Sequence, residues 1–334
     1  MTRRSLLAAL PAVAAAQSRV KIAFLGLSHS HAMGKLQVCR QSGGWEVVAA
    51  ADPDKTRVAK AGVPLASKEE ILRDPSIQVV AVESDVKDHG RHGIEVLEAG
   101  KHMHLEKPPA DTMADLERIV RLAREKKLLV QGGYMWRHHP GMHAIFDAVK
   151  QGWLGDVHMI RGQMNTLVDA RARKDWARFR GGQMFEQGCH IIDALVRLMG
   201  KPARISPFLR HDGKFDDTLA DNTAAVFEWA RAIAVITHSV LQPDAGQHRM
   251  FEVMGSNGTA VLRPIEGPPK LEIDLAKAAG PYRKGRQEVA LPAYARYVGD
   301  MAELARCVRT GSALNVTLEQ ELDVQRAVLA ACGM

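Results

Sequence analysis

The sequence predicts an α/β protein of two domains: a parallel sheet covered by helices on both faces, followed by an α+β domain built on a mostly antiparallel sheet. Three observations predict it. From Val20 onward, short apolar runs alternate with helix-compatible stretches, the pattern of strands buried on both faces. After Gln131-Gly132-Gly133 the runs lengthen and the regular alternation stops. Gly255-Ser256-Asn257-Gly258-Thr259 then reads as a hairpin connection, with Asn-Gly its characteristic pair.

The elements follow in order. An apolar strand from Val20 ends at Gly26, and a second, 46–51, ends at Asp52. A third strand at 78–82 leads into a helix over about 88–99, stopped by Gly100. A short strand, 102–105, precedes Glu106-Lys107-Pro108; a helix at 113–126 and a strand at 128–131 complete the first half. The second half reads as a helix at 142–150, strands at 157–164, 222–229, 233–240 and 251–254, and closing helices near 294–308 and 318–331. Residues 18–137 form the first expected domain and 138–334 the second.

The 334 residues suffice for two cores, and 46% hydrophobic with 25% charged residues places the chain among soluble globular proteins. The formal charge of +7 is dispersed, without a block of five or six basic residues, which argues against nucleic acid as a partner. A small anionic or polyol-like substrate fits that balance. Cys39, Cys189, Cys307 and Cys332 are too few and too scattered for a disulfide framework or a zinc motif, and are expected as small core residues.

Residues 1–16 read as an export signal: Arg3-Arg4, an apolar run from Leu6, then Ala14-Ala15-Ala16 before Gln17. The run is shorter than the about 20 residues of a membrane-spanning helix. Thr-Arg-Arg-Ser-Leu-Leu is similar to the twin-arginine signal for folded proteins. The expectation is a periplasmic or secreted protein, free of the membrane once the signal is removed, or a cytoplasmic one if the signal does not function.

In parallel sheets, ligands bind beyond the carboxyl ends of the strands. Gly26, Asp52, Ser84 and Glu106-Lys107 all fall there. Gly26-Leu27-Ser28-His29-Ser30-His31 stands where a dinucleotide fingerprint should stand, but keeps only the first of its three glycines, with Ser28 and His31 at the other two positions. Ser28 still offers an N–H and a hydroxyl to phosphate at a helix start. Asp52, about 20 residues beyond the loop, takes the position that receives the adenosine ribose hydroxyls. A carboxylate there repels a 2′-phosphate, so NAD is expected, with NADP kept open by nearby Lys55 and Arg57.

In the second half, Glu186, His190 and Asp193 are spaced i, i+4 and i+7 on a helix expected to start near Gln183, so they share one face. That set suits proton handling. Paired histidines at His29/His31, His102/His104 and His138/His139 lack a third and fourth partner nearby, so no metal is expected.

Together these motifs resemble the Gfo/Idh/MocA family, named for glucose–fructose oxidoreductase, inositol dehydrogenase and a rhizopine-catabolism protein. The likeness runs from about Val20 to the C-terminal helices. Its most specific marker is Glu106-Lys107-Pro108, preceded by Leu97-Glu98-Ala99-Gly100-Lys101-His102. Gly181-Gly182 with Glu186, His190 and Asp193 is similar to the family's helix motif, in which Asp is usual where Glu186 stands. His89 falls at a family histidine, although Asp85-Val86 replaces the Pro-Asn pair before it. Trp176 and Arg178 resemble the Trp-Arg pair ahead of the glycines.

The resemblance implies a Rossmann-type first domain, a catalytic pair of Lys107 and His190 with Glu186 beside them, and a cis Pro108. It adds His29, His31, His89, Glu106 and Lys107 to Gly26, Ser28, Asp52 and Ser84 as cofactor contacts, and assigns Trp176, Arg178 and Asp193 to substrate. The expected activity is NAD(P)-dependent hydride transfer to or from a sugar, polyol or related alcohol. Alternatives are a redox-neutral glycosidase or epimerase that keeps its NAD, and a non-catalytic sensor or binding protein. The family often dimerises through its antiparallel sheet, which makes a homo-oligomer an expectation.

Overall fold

The computed structural model describes residues 18–334; the export signal read at 1–16 lies outside them. The first domain alternates β1 (Val20–Leu25), α1 (Ala32–Gln41), β2 (Trp45–Ala51), α2 (Lys55–Ala61), α3 (Lys68–Arg73), β3 (Val79–Val82), α4 (His89–Glu98), β4 (His102–Leu105), α5 (Met113–Lys126) and β5 (Val130–Gly132). The strands form one parallel sheet in the order β2-β1-β3-β4-β5. Successive side chains of a strand point to opposite faces, and both faces here are apolar. Ile22, Phe24, Val79 and Ala81 pack with Leu36 and Val58 on one side, while Ala23, Leu25, Val80 and Val82 pack with Val96 and Ile119 on the other. Fully burying each large aliphatic or aromatic side chain stabilises the fold by about 1.5–3 kcal/mol.

The second domain comprises α6 (Pro140–Lys150), β6 (Val157–Gln163), α7 (Ala170–Trp176), α8 (Cys189–Met199), β7 (Arg204–Arg210), β8 (Asn222–Glu228), β9 (Ile233–Ser239), β10 (Met250–Gly255), β11 (Gly258–Leu262), β12 (Leu271–Leu275), β13 (Gly285–Val289), α9 (Val298–Thr310) and α10 (Leu318–Ala331). Its eight strands run β13-β12-β11-β10-β6-β9-β8-β7, antiparallel except where β6 meets β9. Residues of α6, α8 and α10 join its core. Short or polar segments hid β7, β12, β13 and α7 from the sequence reading. The expected domain boundary also blurs at the C-terminus. Met301, Leu304 and Ala305 of α9 pack into the first domain's core, beside β1 and α1.

Two features position the site. β1 pairs with β2 on one edge and β3 on the other, so the chain leaving β1 opens a crevice between them. There Gly26 adopts φ +86°, and a Cβ on it would lie 2.4 Å from Ser84 Cα, so only glycine lets the two strand ends touch. The second is the segment before α8. Met184–Gly188 winds as a π-helix rather than the expected α-helix, a wider turn often found at functional sites. All four cysteines are buried and free.

Candidate active site

The crevice is a groove of about 700 Å³ at its outer end, lined by Gly26, Ser28, Asp52, Arg57, Ser84 and His92. It continues inward as a second space of about 370 Å³ that shares Ser28, Arg57 and Ser84 and reaches His29, Trp176 and Glu186. The backbone N–H groups of Ser28 and Ser30 have no hydrogen-bond partner among the described residues, just before α1 begins at Ala32. Free N–H groups at a helix start are a seat for phosphate. The groove, these donors and the Gly26 contact fit an extended dinucleotide.

Asp52 lines the groove, but its carboxylate is fully buried and committed to the protein itself. Its Oδ2 accepts the Leu27 N–H at 2.7 Å, and its Oδ1 accepts the Asp54 N–H at 2.8 Å and Arg57 Nη1 at 3.2 Å. The carboxylate thus ties the glycine loop to the end of β2 and holds Arg57 at the same spot.

Beyond the groove lies a cavity of about 240 Å³ where the domains meet, lined by His31, Lys107, Glu186, His190, Arg249 and Tyr297 among others. Lys107 comes from the turn after β4, beside its cis bond to Pro108, and is 2% exposed. Its Nζ donates to the Glu186 carboxylate at 2.8 Å and to the Glu186 carbonyl at 2.7 Å. That leaves one of three ammonium protons uncommitted. Burial alone would discharge the amine, but Glu186 and Glu106 outweigh it and raise its pKa above the usual lysine value. Glu186 responds in kind: burial opposes its charge, yet Lys107 and His29 hold it down to about 2.

His190 is different. Its ring makes no hydrogen bond among the described residues, and its Nδ1 is buried without a partner. Burial first, then the charges of Lys107 and His31, push its pKa well below 6.5. His31 and Trp136 lie 5.9 and 5.7 Å from it, ring centre to ring centre. The site therefore places a fixed cation and a neutral, unpartnered imidazole on one cavity.

Three expected contacts move to supporting positions. His89 lines neither groove nor cavity; it is fully buried, its ring between the carbonyls of Pro108 at 2.8 Å and Ser84 at 3.0 Å. Burial favours its neutral form, lowered to about 4, and that form can donate to only one of the two. Glu106 is likewise fully buried, committed to Lys35, to His31 at 3.2 Å and to the Lys107 N–H at 2.8 Å. Asp193 does not line the cavity and accepts Arg137 Nη2 at 2.8 Å; the π-turn precedes α8, so it shifts Glu186 relative to both His190 and Asp193. Trp176 lines both the inner groove and the cavity, whereas Arg178 lines only the groove and pairs with Asp175 at 3.3 Å.

Other residues escaped the sequence reading. Lys35, on α1, is buried between Glu83 and Glu106, which keep it charged against the cost of burial. Glu83 is pushed up to about 7 by burial and by Glu106. Arg137 is buried between Asp193 and Glu321 and lies 4.6 Å from the Tyr134 ring centre. The only sequence signal for either pair was charge inside an otherwise apolar segment. His29, His31 and Glu106 bring potential metal-ligand atoms within 4.8 Å of one another, but the Lys35 ammonium already occupies that carboxylate, and two cations on one site repel.

Residues 20–134 match the model for the oxidoreductase family with NAD-binding Rossmann fold, and 142–261 match the GFO/IDH/MocA C-terminal domain. Over 304 residues the chain is 28% identical to an uncharacterized oxidoreductase, ORF334, of Rhizobium meliloti, covering 86% of this chain and 88% of that one. It is 25% identical to the scyllo-inositol 2-dehydrogenase (NADP(+)) IolW of Bacillus subtilis, covering 79% and 78%. The fold matches that of KijD10, a 3-ketoreductase of Actinomadura kijaniata solved with TDP-benzene and NADP, with a TM-score of 0.78 at 20% identity over 94% and 96% of the two chains. No helix among the described residues is long and apolar enough to cross a membrane. The chain belongs to the Gfo/Idh/MocA family of oxidoreductases, and its first domain is that family's NAD-binding Rossmann unit.

Proposed function

We propose that this oxidoreductase transfers hydride between a nicotinamide dinucleotide, NAD in preference to NADP, and a CH–OH group of a sugar, polyol or related alcohol. One observation carries the reading: charged Lys107 and neutral, unpartnered His190 face a single cavity at the inner end of the dinucleotide groove. The name of the inositol dehydrogenase relative points to the same substrate class.

When bound, the dinucleotide supplies the hydride acceptor. Ser28 and Ser30 would hold its phosphates through backbone N–H groups, and Asp52, with Arg57 against its buried carboxylate, would stand at the ribose end of the groove. In the direction of oxidation, His190 takes the hydroxyl proton through its free ring nitrogen. Lys107 uses its uncommitted N–H to stabilise negative charge growing on the alcohol oxygen. Glu186 fixes the ammonium, and His29 stands 3.6 Å from the Glu186 carboxylate on the other side. Because Lys107 keeps its proton, the base is His190. The test is to offer polyols and sugars to the NAD-loaded protein and follow reduced nicotinamide. Deuterium at the oxidised carbon should slow the reaction, and label recovered only in solvent would refute hydride transfer.

We also place the enzyme outside the cytoplasm, on the strength of Arg3-Arg4 and the apolar run that follows. Changing both arginines to lysine should leave the protein in the cytoplasm; unchanged export would remove the assignment.

A further inference from the structure

The cavity holds more positive charge than its carboxylates neutralise. Three cations line it: Lys107, Arg249 and Arg296. Glu186, also in the lining, is taken by Lys107 at 2.8 Å. Arg249 and Arg296 share one carboxylate, with Arg249 Nη1 donating to Glu266 Oε2 at 2.8 Å and Arg296 Nε to Glu266 Oε1. Arg249 Nε reaches only the Asn165 carbonyl at 3.4 Å, and its Nη2 has no partner among the described residues. The Arg249 side chain is 14% exposed. Guanidinium does not shed its proton; Arg296, 41% exposed, stands at the cavity mouth, whereas the deeper charge of Arg249 is costly unless it is paired.

The two arginines do not serve the dinucleotide phosphates, because neither lines the groove that runs past Ser28. The space is also small. At about 240 Å³ it lies below the about 300 Å³ at which ordinary ligand pockets begin, which suits a monosaccharide-sized molecule. Trp176, Met135 and Met164 supply apolar faces for its carbon skeleton.

We propose that the substrate is a monosaccharide-sized alcohol bearing an anionic group, a carboxylate or a phosphate, gripped by Arg249 and Arg296 while its reacting hydroxyl lies between Lys107 and His190. This rests on the oxidoreductase reading for the hydroxyl but not for the anion site. A guanidinium fork matches either oxyanion.

The experiment titrates NAD-loaded protein calorimetrically with matched probes: D-glucuronate and D-glucose 6-phosphate against D-glucose and D-glucitol. At least one anion should bind tenfold or more tighter than the neutral molecules, and the better of the two identifies the group. Arg249→Met should abolish that advantage and Arg249→Lys should keep part of it. Arg296→Met provides the second variant, should loss of Arg249 unseat Glu266; NAD retention reports the fold in each. Neutral probes binding as well as both anions, no binding by either anion, or an anion affinity unchanged in both methionine variants would each overturn the proposal. Hydride transfer is followed separately on the same samples. Arginine-dependent anion binding without any transfer would support the anion site and count against the oxidoreductase reading.

Discussion

The two ends of the cleft are assembled in different ways. At the dinucleotide end, Gly26 and Asp52 stand directly after strands of one parallel sheet and Ser84 two residues beyond another, so the backbone alone brings them together. At the alcohol end, Lys107, Glu186, His190, Arg249 and Tyr297 come from separated segments of both domains. Their geometry depends on how the domains pack and on buried ion pairs behind the cavity wall. The first end is a property of a fold; the second is a property of particular side chains. Substitutions at the alcohol end should therefore strike chemistry, and those at the dinucleotide end should mainly shift affinity.

The largest effect should come from the reacting pair. Lys107→Ala and His190→Ala should each lower turnover by about 10²–10⁴-fold, the usual worth of a positioned acid, base or charge. Both should retain NAD, and the double variant should lose less than the product of the two. Steady-state kinetics on an authentic substrate, with NAD binding measured in parallel, checks both. Loss of NAD from either variant would dissolve the division between the two ends.

That division also explains what the sequence discloses. Strand ends are legible because apolar runs and their stop signals are local, and Gly26, Asp52 and Lys107 stand at such stops. His190 is legible as one of the polar set Glu186, His190 and Asp193 in a largely apolar helical stretch. Asp193 does not line the cavity because it stands three residues beyond His190 on α8 with its carboxylate taken by Arg137, a pairing no local spacing announces. Glu106 and His89 were expected as contacts from the family resemblance, whereas their side chains turn inward to hold Lys35 and two backbone carbonyls. Arg249 and Arg296 carry no motif at all. Only the three-dimensional closure of β10 and the segment before α9 over the cavity brings them in.

The next effect probes the wall behind the alcohol end. Arg137 is 4% exposed at its side chain and is the shared partner of Asp193 and Glu321. Removing one member of such a buried set leaves uncompensated charge and costs about 3–5 kcal/mol. Arg137→Leu should therefore unfold at distinctly lower denaturant concentration, and the groove end should still bind NAD in the fraction that remains folded. A loss below about 1 kcal/mol would mean that water reaches this cluster.

A gentler test uses pH. His190 must be neutral to accept a proton, and its pKa lies below 6.5 because burial and the Lys107 and His31 charges oppose protonation. The kcat/KM profile should thus stay flat through 6.5 on the way down and fall only at lower pH. Lys107, raised above 10.5, should keep its charge through the alkaline range where ordinary lysines lose theirs. An acid limb centred at or above 6.5 would reject His190 as the base.

The smallest effect belongs to the dinucleotide end. Asp52 sets a buried negative charge at the end of β2, and a ribose 2′-phosphate placed there would be repelled by it, so NAD should bind more tightly than NADP. The same carboxylate also neutralises Arg57 at 3.2 Å and accepts the Leu27 N–H at 2.7 Å. Asp52→Ala therefore removes a repulsion, frees a guanidinium that can meet a 2′-phosphate, and leaves the Leu27 amide unpaired. NAD should weaken by about tenfold, close to 1.4 kcal/mol, while NADP should weaken less or gain. Stability should fall by about 1–3 kcal/mol for the orphaned amide. Arg57→Ala separates the two contributions, because it leaves the loop tether intact and should lower NADP affinity alone. Calorimetric titration of the three proteins with both dinucleotides decides the matter. If the parent protein prefers NADP, the Arg57 guanidinium outweighs the Asp52 carboxylate, and the strand-end acid serves to tether the loop rather than to choose the cofactor.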